Sequence, residues 1–312
     1  MHQQAVANPW VIRPHDQYAQ SQSEVTAYER HVGALVTYHH VGAAAIDWQA
    51  ILDAPPPPAP PLKHDMESAA VAKLNGFHPN LVDRLLSRSE AKRAALQQSV
   101  VNARNWDVKI NEDTQQVHAA AYTHWQTSRR FAQGMVERNP AYYVPALGGQ
   151  KVMTCFESLG TCVVVDVVEP SLISFQVSTK IEILVPQIEL KITNAGNLSK
   201  KDLSKGRYWA LLQDHLCSCA IRLACDGFSL LPVDRVIVNL GEQRINTTTG
   251  HSELMTLLAV HFTRRALSTI NVYQIDPSDS MANFNCRMNF NKTKGFSPVE
   301  PIEPEDQWVT AG

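Results

Sequence analysis

The sequence predicts an α+β fold in which an N-terminal helical region is followed by a mixed-sheet α/β domain. Between Asp65 and about Asn139 the chain contains almost no helix breaker other than Gly76 and Pro79, which is typical of long helices. Beyond about residue 150, short runs rich in Val, Ile and Thr are separated by turn residues, as in strands. The order predicted for the second region is α-β-β-β-α-β-β.

Length and composition indicate a folded protein of about two domains. The chain has 312 residues, of which 44% are hydrophobic and 19% are charged. Its 28 basic and 30 acidic residues argue against a surface built as a whole to coat nucleic acid. No apolar run approaches the roughly 20 residues of a membrane span, and the N-terminus shows no secretory signal pattern. We therefore expect a cytoplasmic protein without membrane contact.

The helical region is predicted to follow a flexible arm, residues 1–22, which is polar and shows no periodicity. A first helix is predicted from Ser23, a suitable N-cap, to about Gly42, because apolar side chains recur there at helical spacing. Together with the segments that follow, this helix makes up a helical region that extends over residues 23–140.

A proline-rich segment, residues 54–62, interrupts this region with the sequence "APPPPAPPL". Such a run excludes helix and sheet and favours polyproline II conformation. A stiff spacer is the more common use of such a segment. The alternative is a ligand for an aromatic groove on a partner.

The segment from Pro79 to Asn139 carries an imperfect apolar seam at alternating spacings of three and four residues. One continuous helix over this range would be roughly 90 Å long at 1.5 Å per residue. The alternative is a helical hairpin with its tip at "NWDVKINEDTQQ", or a paired long helix, which we favour because a lone helix cannot bury its stripe. The region therefore predicts association with a protein partner or a second copy. The seam consists of Leu96, Val100, Ala103, Ile110, Val117, Ala121, Phe131 and Met135, and is interrupted by Asp107, Thr114, His124 and Ser128.

The α/β domain is predicted over residues 150–300 and is followed by a peripheral tail, residues 301–312. Asp276 and Pro277 have the residue types of an N-cap and a first helical position, so a short helix is expected there. Strands are predicted at 153–156, 161–168, 173–179, 181–192, 233–240 and 254–262, and helices at 203–230 and 263–270.

Three residues raise the possibility of nuclease chemistry. In restriction-endonuclease-like enzymes, an Asp on one strand and a Glu-x-Lys on the next hold Mg²⁺ and orient an attacking water. Here the corresponding residues are Asp166, Glu189 and Lys191, with Asp166 and Glu189 as metal ligands. The simpler interpretation is that they are ordinary surface residues of a sheet. No cofactor is expected except Mg²⁺ under the nuclease alternative.

A basic cluster follows this triplet. Its cations surround a loop that leads into the helix predicted at 203–230, which is a suitable place for a phosphate or a nucleic-acid backbone. Solvated surface charge is the other interpretation. Tyr208 and Trp209 either dock the helix on the sheet or stack on a base. The cations are Lys200, Lys201, Lys205 and Arg207.

Four segments, "AIDWQAIL", "LLPVDRVIV", "DPSDSMANF" and "FNKTKGFSPV", resemble a family of bacterial proteins that has no assigned activity. The resemblance extends over nearly all of the chain from about Ser23. It implies an N-terminal helical region, a C-terminal α/β domain and a bacterial, cytosolic origin, and it implies no residue role. The expected function is therefore interaction or assembly through the helical region, with a metal-dependent nuclease acting on nucleic acid as the alternative.

Overall fold

The computed structural model describes residues 14–80, 87–152, 161–245 and 248–306. It confirms the α+β class, with one long helix and a mixed sheet. The chain divides into two compact units: Trp48–Gln133, called the rod unit, and Met1–Asp47 with Gly134–Gly312, called the sheet unit. The first helix therefore belongs with the sheet and not with the helical region predicted over 23–140.

The rod unit contains two short helices and most of a long one. After the first helix of the chain, α1 (Pro14–Val36), these are α2 (Trp48–Asp53), α3 (Asp65–Asn75) and α4 (Ser89–Val136). Helix α4 is continuous over 48 residues, or about 70 Å. The interpretation of "NWDVKINEDTQQ" as a hairpin tip is wrong, because these residues lie within α4. Residues 81–86, part of the helix predicted from Pro79, lie outside the described ranges.

The proline-rich segment runs along α4 and is held there by side chains of the helix. Trp125 Nε1 donates to the Ala54 carbonyl at 2.8 Å, and His118 Nε2 donates to the Pro57 carbonyl at 3.1 Å. Asn111 accepts from Lys63 N and donates to Lys63 O, both at 2.9 Å. Positions 111, 118 and 125 are seven residues apart and therefore lie on one face of α4. Residues 54–63, called the proline strap, thus cover that face and do not act as a spacer.

Asp107 explains one polar interruption of the predicted seam. Its carboxylate accepts from the backbone N of Met66 at 3.2 Å and of Glu67 at 2.7 Å, so it caps the N-terminus of α3. A buried carboxylate is favourable at this position because the first N–H groups of a helix have no partner within the helix. Arg104 strengthens the contact by pairing with Glu67 at 2.6 Å.

The sheet unit contains the remaining elements. Helix α1 begins at Pro14, within the segment expected to be a flexible arm. The helices are α1 (Pro14–Val36), α5 (Tyr143–Gly149), α6 (Ile181–Leu184), α7 (Lys205–Leu230), α8 (Arg264–Ser268) and α9 (Pro277–Ser280). The strands are β1 (Cys162–Glu169), β2 (Leu172–Ser178), β3 (Ile188–Ile192), β4 (Leu198–Asp202), β5 (Arg235–Ile245), β6 (Ser252–Thr263), β7 (Asn285–Asn291) and β8 (Gly295–Ser297).

Six strands form one sheet in the order β1-β2-β5-β6-β7-β8, and β3 and β4 form a separate hairpin. Only the β2–β5 pairing is parallel among the pairs of the described strands, and α7 lies in the crossover between these two strands. The segment predicted as one strand over 181–192 divides into α6 and β3. Strands β4, β7 and β8 were not predicted, and the strand predicted at 153–156 lies outside the described residues.

Helix α7 packs on one face of the large sheet. A Cβ added at Gly227 would approach Val236 at 3.2 Å and Ile173 at 3.3 Å, so α7 lies directly against β5 and β2. Burial is almost continuous from Leu211 to Leu230. At the far end of α7, Arg264 donates to the carbonyls of residues 228, 231 and 233 at 2.8–2.9 Å and so caps the helix.

The opposite face of the sheet is covered by the segment that was expected to be a peripheral tail. Ile302 is fully buried against Leu172, Ile237 and Ala259. Asn239 donates to Ile302 O at 3.0 Å and accepts from Ile302 N at 2.9 Å. Ile302 therefore belongs to the core of the sheet unit, because its side chain is buried and both of its backbone groups are satisfied there.

None of the helices in the described ranges is both long enough and apolar enough to span a bilayer.

Candidate functional site

A cavity of about 730 Å³ opens at the first turns of α7. Three segments that are distant in the sequence line it: the base of the β3–β4 hairpin, the start of α7 and the β7–β8 turn. Its polar lining consists of Gln187, Asp202, Lys205, Tyr208, Thr293 and Lys294, and Trp209, Ile188 and Leu203 supply apolar surface. This volume is within the usual range of small-molecule sites.

The β3–β4 hairpin forms one wall. Its base is closed by a hydrogen bond from Leu203 N to Gln187 O at 2.7 Å. The outer side of the hairpin lies on α1, where Lys200 pairs with Glu24 at 3.3 Å and Gly196 lies against the ring of Tyr18. The wall is thus fixed at both its base and its tip.

The β7–β8 turn forms the opposite wall. Asn291 Oδ1 accepts from Thr293 N at 2.9 Å and from Lys294 N at 3.2 Å, which closes the turn. Gly295 has φ +80, and a Cβ there would lie 2.6 Å from the Trp209 ring. Glycine is therefore required both for the backbone conformation and for the close approach of the turn to Trp209.

The start of α7 provides the floor. Ser204 is the N-cap, and its hydroxyl accepts from Arg207 N at 3.3 Å. The rings of Tyr208 and Trp209 meet edge to face with centroids 5.0 Å apart. Burial, and then the nearby carboxylates of Glu182 and Glu242, raise the pKa of Tyr208, so its hydroxyl remains a hydrogen-bond donor at neutral pH.

The structure separates the four cations of the predicted phosphate site. Lys205 lines the cavity. Lys200 is paired with Glu24, and Lys201 lies opposite Glu189 in the hairpin register. Arg207 is exposed and its backbone N contacts the N-cap. Only Lys205 is brought to the cavity, where Lys294, which the sequence analysis did not single out, is the second cation.

The predicted metal ligands lie in different sheets. Asp166 is exposed on β1 of the large sheet and pairs in register with Ser174. Glu189 and Lys191 lie on β3 of the separate hairpin and form an ion pair at 2.8 Å. Within the described ranges no group of three His, Cys, Asp or Glu side chains is arranged to hold a metal ion. A metal centre at Asp166 and Glu189 stays a prediction to which the strand arrangement adds no support.

The rod unit carries a second candidate surface, on α4. Large apolar side chains are exposed there: Val117 at 71%, Trp106 at 57% and Ile110 at 38%. With Ala103 and Ala120 they follow the three-and-four spacing of a coiled-coil seam. These five residues are called the apolar stripe. At 100° per residue the stripe lies about 100° around α4 from the face covered by the proline strap.

Sequence reasoning missed Trp106 in this stripe and Thr293 and Lys294 at the cavity. Trp106 had a visible signal, since it lies three residues after Ala103 and four before Ile110. The cavity residues had none, because the β7–β8 turn meets α7 only through the tertiary fold.

No family model, no curated protein and no solved structure matches this chain.

Proposed function

We propose that the protein is an assembly protein and that α4 pairs with α4 of a second copy through the apolar stripe. The observation that carries the proposal is that one face of α4 is covered by the same chain, whereas the apolar stripe on another face is exposed. The proline strap covers one face with residues of the same chain, whereas Trp106 and Val117 on the stripe are more than half exposed. Contiguous exposed apolar surface is typical of a protein interface.

The spacing of the stripe favours an antiparallel pair. Its five positions, together with Asp113 at the one polar position of the seam, are symmetric about a point between 111 and 112. Reversing a second helix over this point therefore places Trp106 against Val117 and Ala103 against Ala120, with Ile110 against Asp113 at the centre. A two-fold pair uses the same surface on both copies, so a pattern that is its own reverse suits it.

Charge agrees with this arrangement. The same alignment places Asp113 of the second copy opposite Ile110 and next to Lys109, so a cation lies beside the one acidic position of the seam. In a parallel, in-register pair Asp113 would face Asp113, which disfavours that geometry. Burial of the Trp106 and Val117 side chains favours pairing of the two helices, by roughly 25 cal/mol per Å² of apolar area removed from water.

The proposal is tested by the mass of the protein in solution. Size-exclusion chromatography with light scattering is expected to give twice the 34.7 kDa chain mass at high concentration and a shift towards one chain on dilution. Val117→Glu is expected to give one chain at every concentration, because a charge would be buried in the seam.

Val101→Glu is the matched control, since Val101 is exposed at 48% and lies about 160° around α4 from Val117. It is expected to retain the two-chain mass. A one-chain mass for the native protein throughout the dilution series rejects the proposal, and so does an unchanged mass for Val117→Glu with normal circular dichroism.

The proposal places the protein in the cytoplasm. Cys217 lies buried on α7 and is not part of a disulfide, as expected in a reducing compartment.

A further inference from the structure

We propose that the cavity at the start of α7 binds a small ligand that joins a planar ring to a single phosphate, of the nucleoside monophosphate class. The site lies wholly within the sheet unit, and the proposal is independent of the pairing of α4.

The first argument is the fixed aromatic surface. Trp209 is held by direct contact with Gly295 on the β7–β8 turn and by the edge of Tyr208, so its ring position is set before a ligand arrives. Stacking of a base on an aromatic side chain contributes about 1–3 kcal/mol. Preorganisation of the ring reduces the entropy lost on binding.

The second argument is that the two lysines lining the cavity form no ion pair with a side chain of the described ranges. Other lysines nearby are neutralised within the protein, Lys191 by Glu189 and Lys200 by Glu24. Lys205 and Lys294 line the cavity, and neither forms an ion pair with a side chain of the described ranges. Two ammonium groups that line one cavity from different segments of the chain suit an anion bound there.

The third argument concerns the charge of the ligand. The cavity is lined by two cations, Lys205 and Lys294, and one anion, Asp202. Their sum of +1 matches one phosphate better than a diphosphate or a triphosphate. Asp202 is an acceptor for ribose hydroxyl or base amino groups, and Gln187 and Thr293 both donate and accept, so the remaining polar atoms of a nucleotide have partners.

Isothermal titration calorimetry on the full chain tests the proposal with AMP, GMP, CMP and UMP, beside adenosine and inorganic phosphate. At least one nucleoside monophosphate is expected to bind at least tenfold more tightly than either adenosine or phosphate alone. Absence of heat with all four monophosphates overturns the proposal. Equal affinity for adenosine and AMP, or for phosphate and AMP, also overturns it, because ring and phosphate would not act together.

Substitutions locate the site. Lys294→Gln is expected to weaken nucleotide binding about tenfold, because the phosphate loses one charged partner. Lys292→Gln is the matched control, since Lys292 lies in the same exposed turn and does not line the cavity. Equal affinities of the two variants overturn the assignment. As a readout of the ring, the indole N–H resonance of Trp209, assigned with Trp209→Phe, is expected to shift on addition of nucleotide.

Discussion

Within the sheet unit, single buried polar side chains of α7 hold the segment that follows α1. Ser218 accepts from His39 N at 2.9 Å and contacts His39 Nδ1 at 2.7 Å. Asp226 accepts from Ala43 N at 2.5 Å and from Arg222 Nε at 2.8 Å. Burial raises the pKa of Asp226, while these two hydrogen bonds act against the increase. Each residue thus stabilises the fold only as long as its partner is in place.

Because His39 is buried in its neutral form, we expect the free energy of unfolding to decrease in acid. Burial, and then the neighbouring His40, lower the pKa of His39 to about 4. Below about pH 6.5 the unfolded chain binds a proton at this histidine that the native state does not, so stability falls as pH falls towards 4. His39→Asn keeps an acceptor for Ser218 and removes the titration. Between pH 7 and pH 4 its free energy of unfolding is expected to fall by on the order of 2 kcal/mol less than that of the native protein.

Urea unfolding at a series of pH values measures this difference. His251→Asn, at an exposed histidine in the β5–β6 turn, is the control and is expected to follow the native protein. Parallel pH dependence of His39→Asn and the native protein would contradict the argument.

At the scale of elements, the sequence predicted that α4 is helical but not that it is one continuous helix. The absence of breakers between Ser89 and Val136 predicted helix correctly. The polar residues in the seam suggested a break, because a bare helix must bury one apolar stripe. The structure explains one of these residues, Asp107, which binds backbone N–H groups of α3, and it shows that Asn111 and His118 on the same helix bind the proline strap. Polar residues at these positions could equally face solvent, so the pattern alone could not show which backbone groups they bind.

The proline strap predicts a change in protease sensitivity. Asn111 binds both backbone groups of Lys63, which is also a trypsin site. Asn111→Leu removes two hydrogen bonds and leaves the rest of α4 intact. Cleavage after Lys63 is expected to become roughly fivefold to tenfold faster, because the strap leaves the helix more often.

Mass spectrometry of timed digests gives the rate at this bond. Gln116→Leu, at an exposed position on another side of α4, is the control and is expected to be cut as slowly as the native protein. If Asn111→Leu is cut no faster than Gln116→Leu, the strap is not held by this contact.

At the scale of the whole molecule, the order of predicted helices and strands gave the α+β fold class but not the division of the chain into two compact units. The change of pattern near residue 150 predicted that the chain contains both long helix and sheet, and the structure contains both. It did not show that α1 packs with α7 or that Ile302 returns to the core, since both contacts join segments far apart in the sequence. For the same reason Lys205 was recognised as a candidate binding residue and Lys294 was not.

The proposed assembly makes a prediction about register that distinguishes the two directions of pairing. In the antiparallel alignment residue 103 of one copy faces residue 120 of the other, whereas a parallel in-register pair places 103 against 103. With the exposed Cys162 changed to Ser, proteins carrying Ala103→Cys or Ala120→Cys are prepared separately. Mild oxidation of the mixture is expected to give a disulfide-linked dimer, and each protein alone is expected to stay largely uncrosslinked, because its thiols are far apart. Crosslinking of Ala103→Cys alone, with none in excess in the mixture, would show that the helices run in the same direction, and the symmetry of the apolar stripe about positions 111 and 112 would then have no role in pairing.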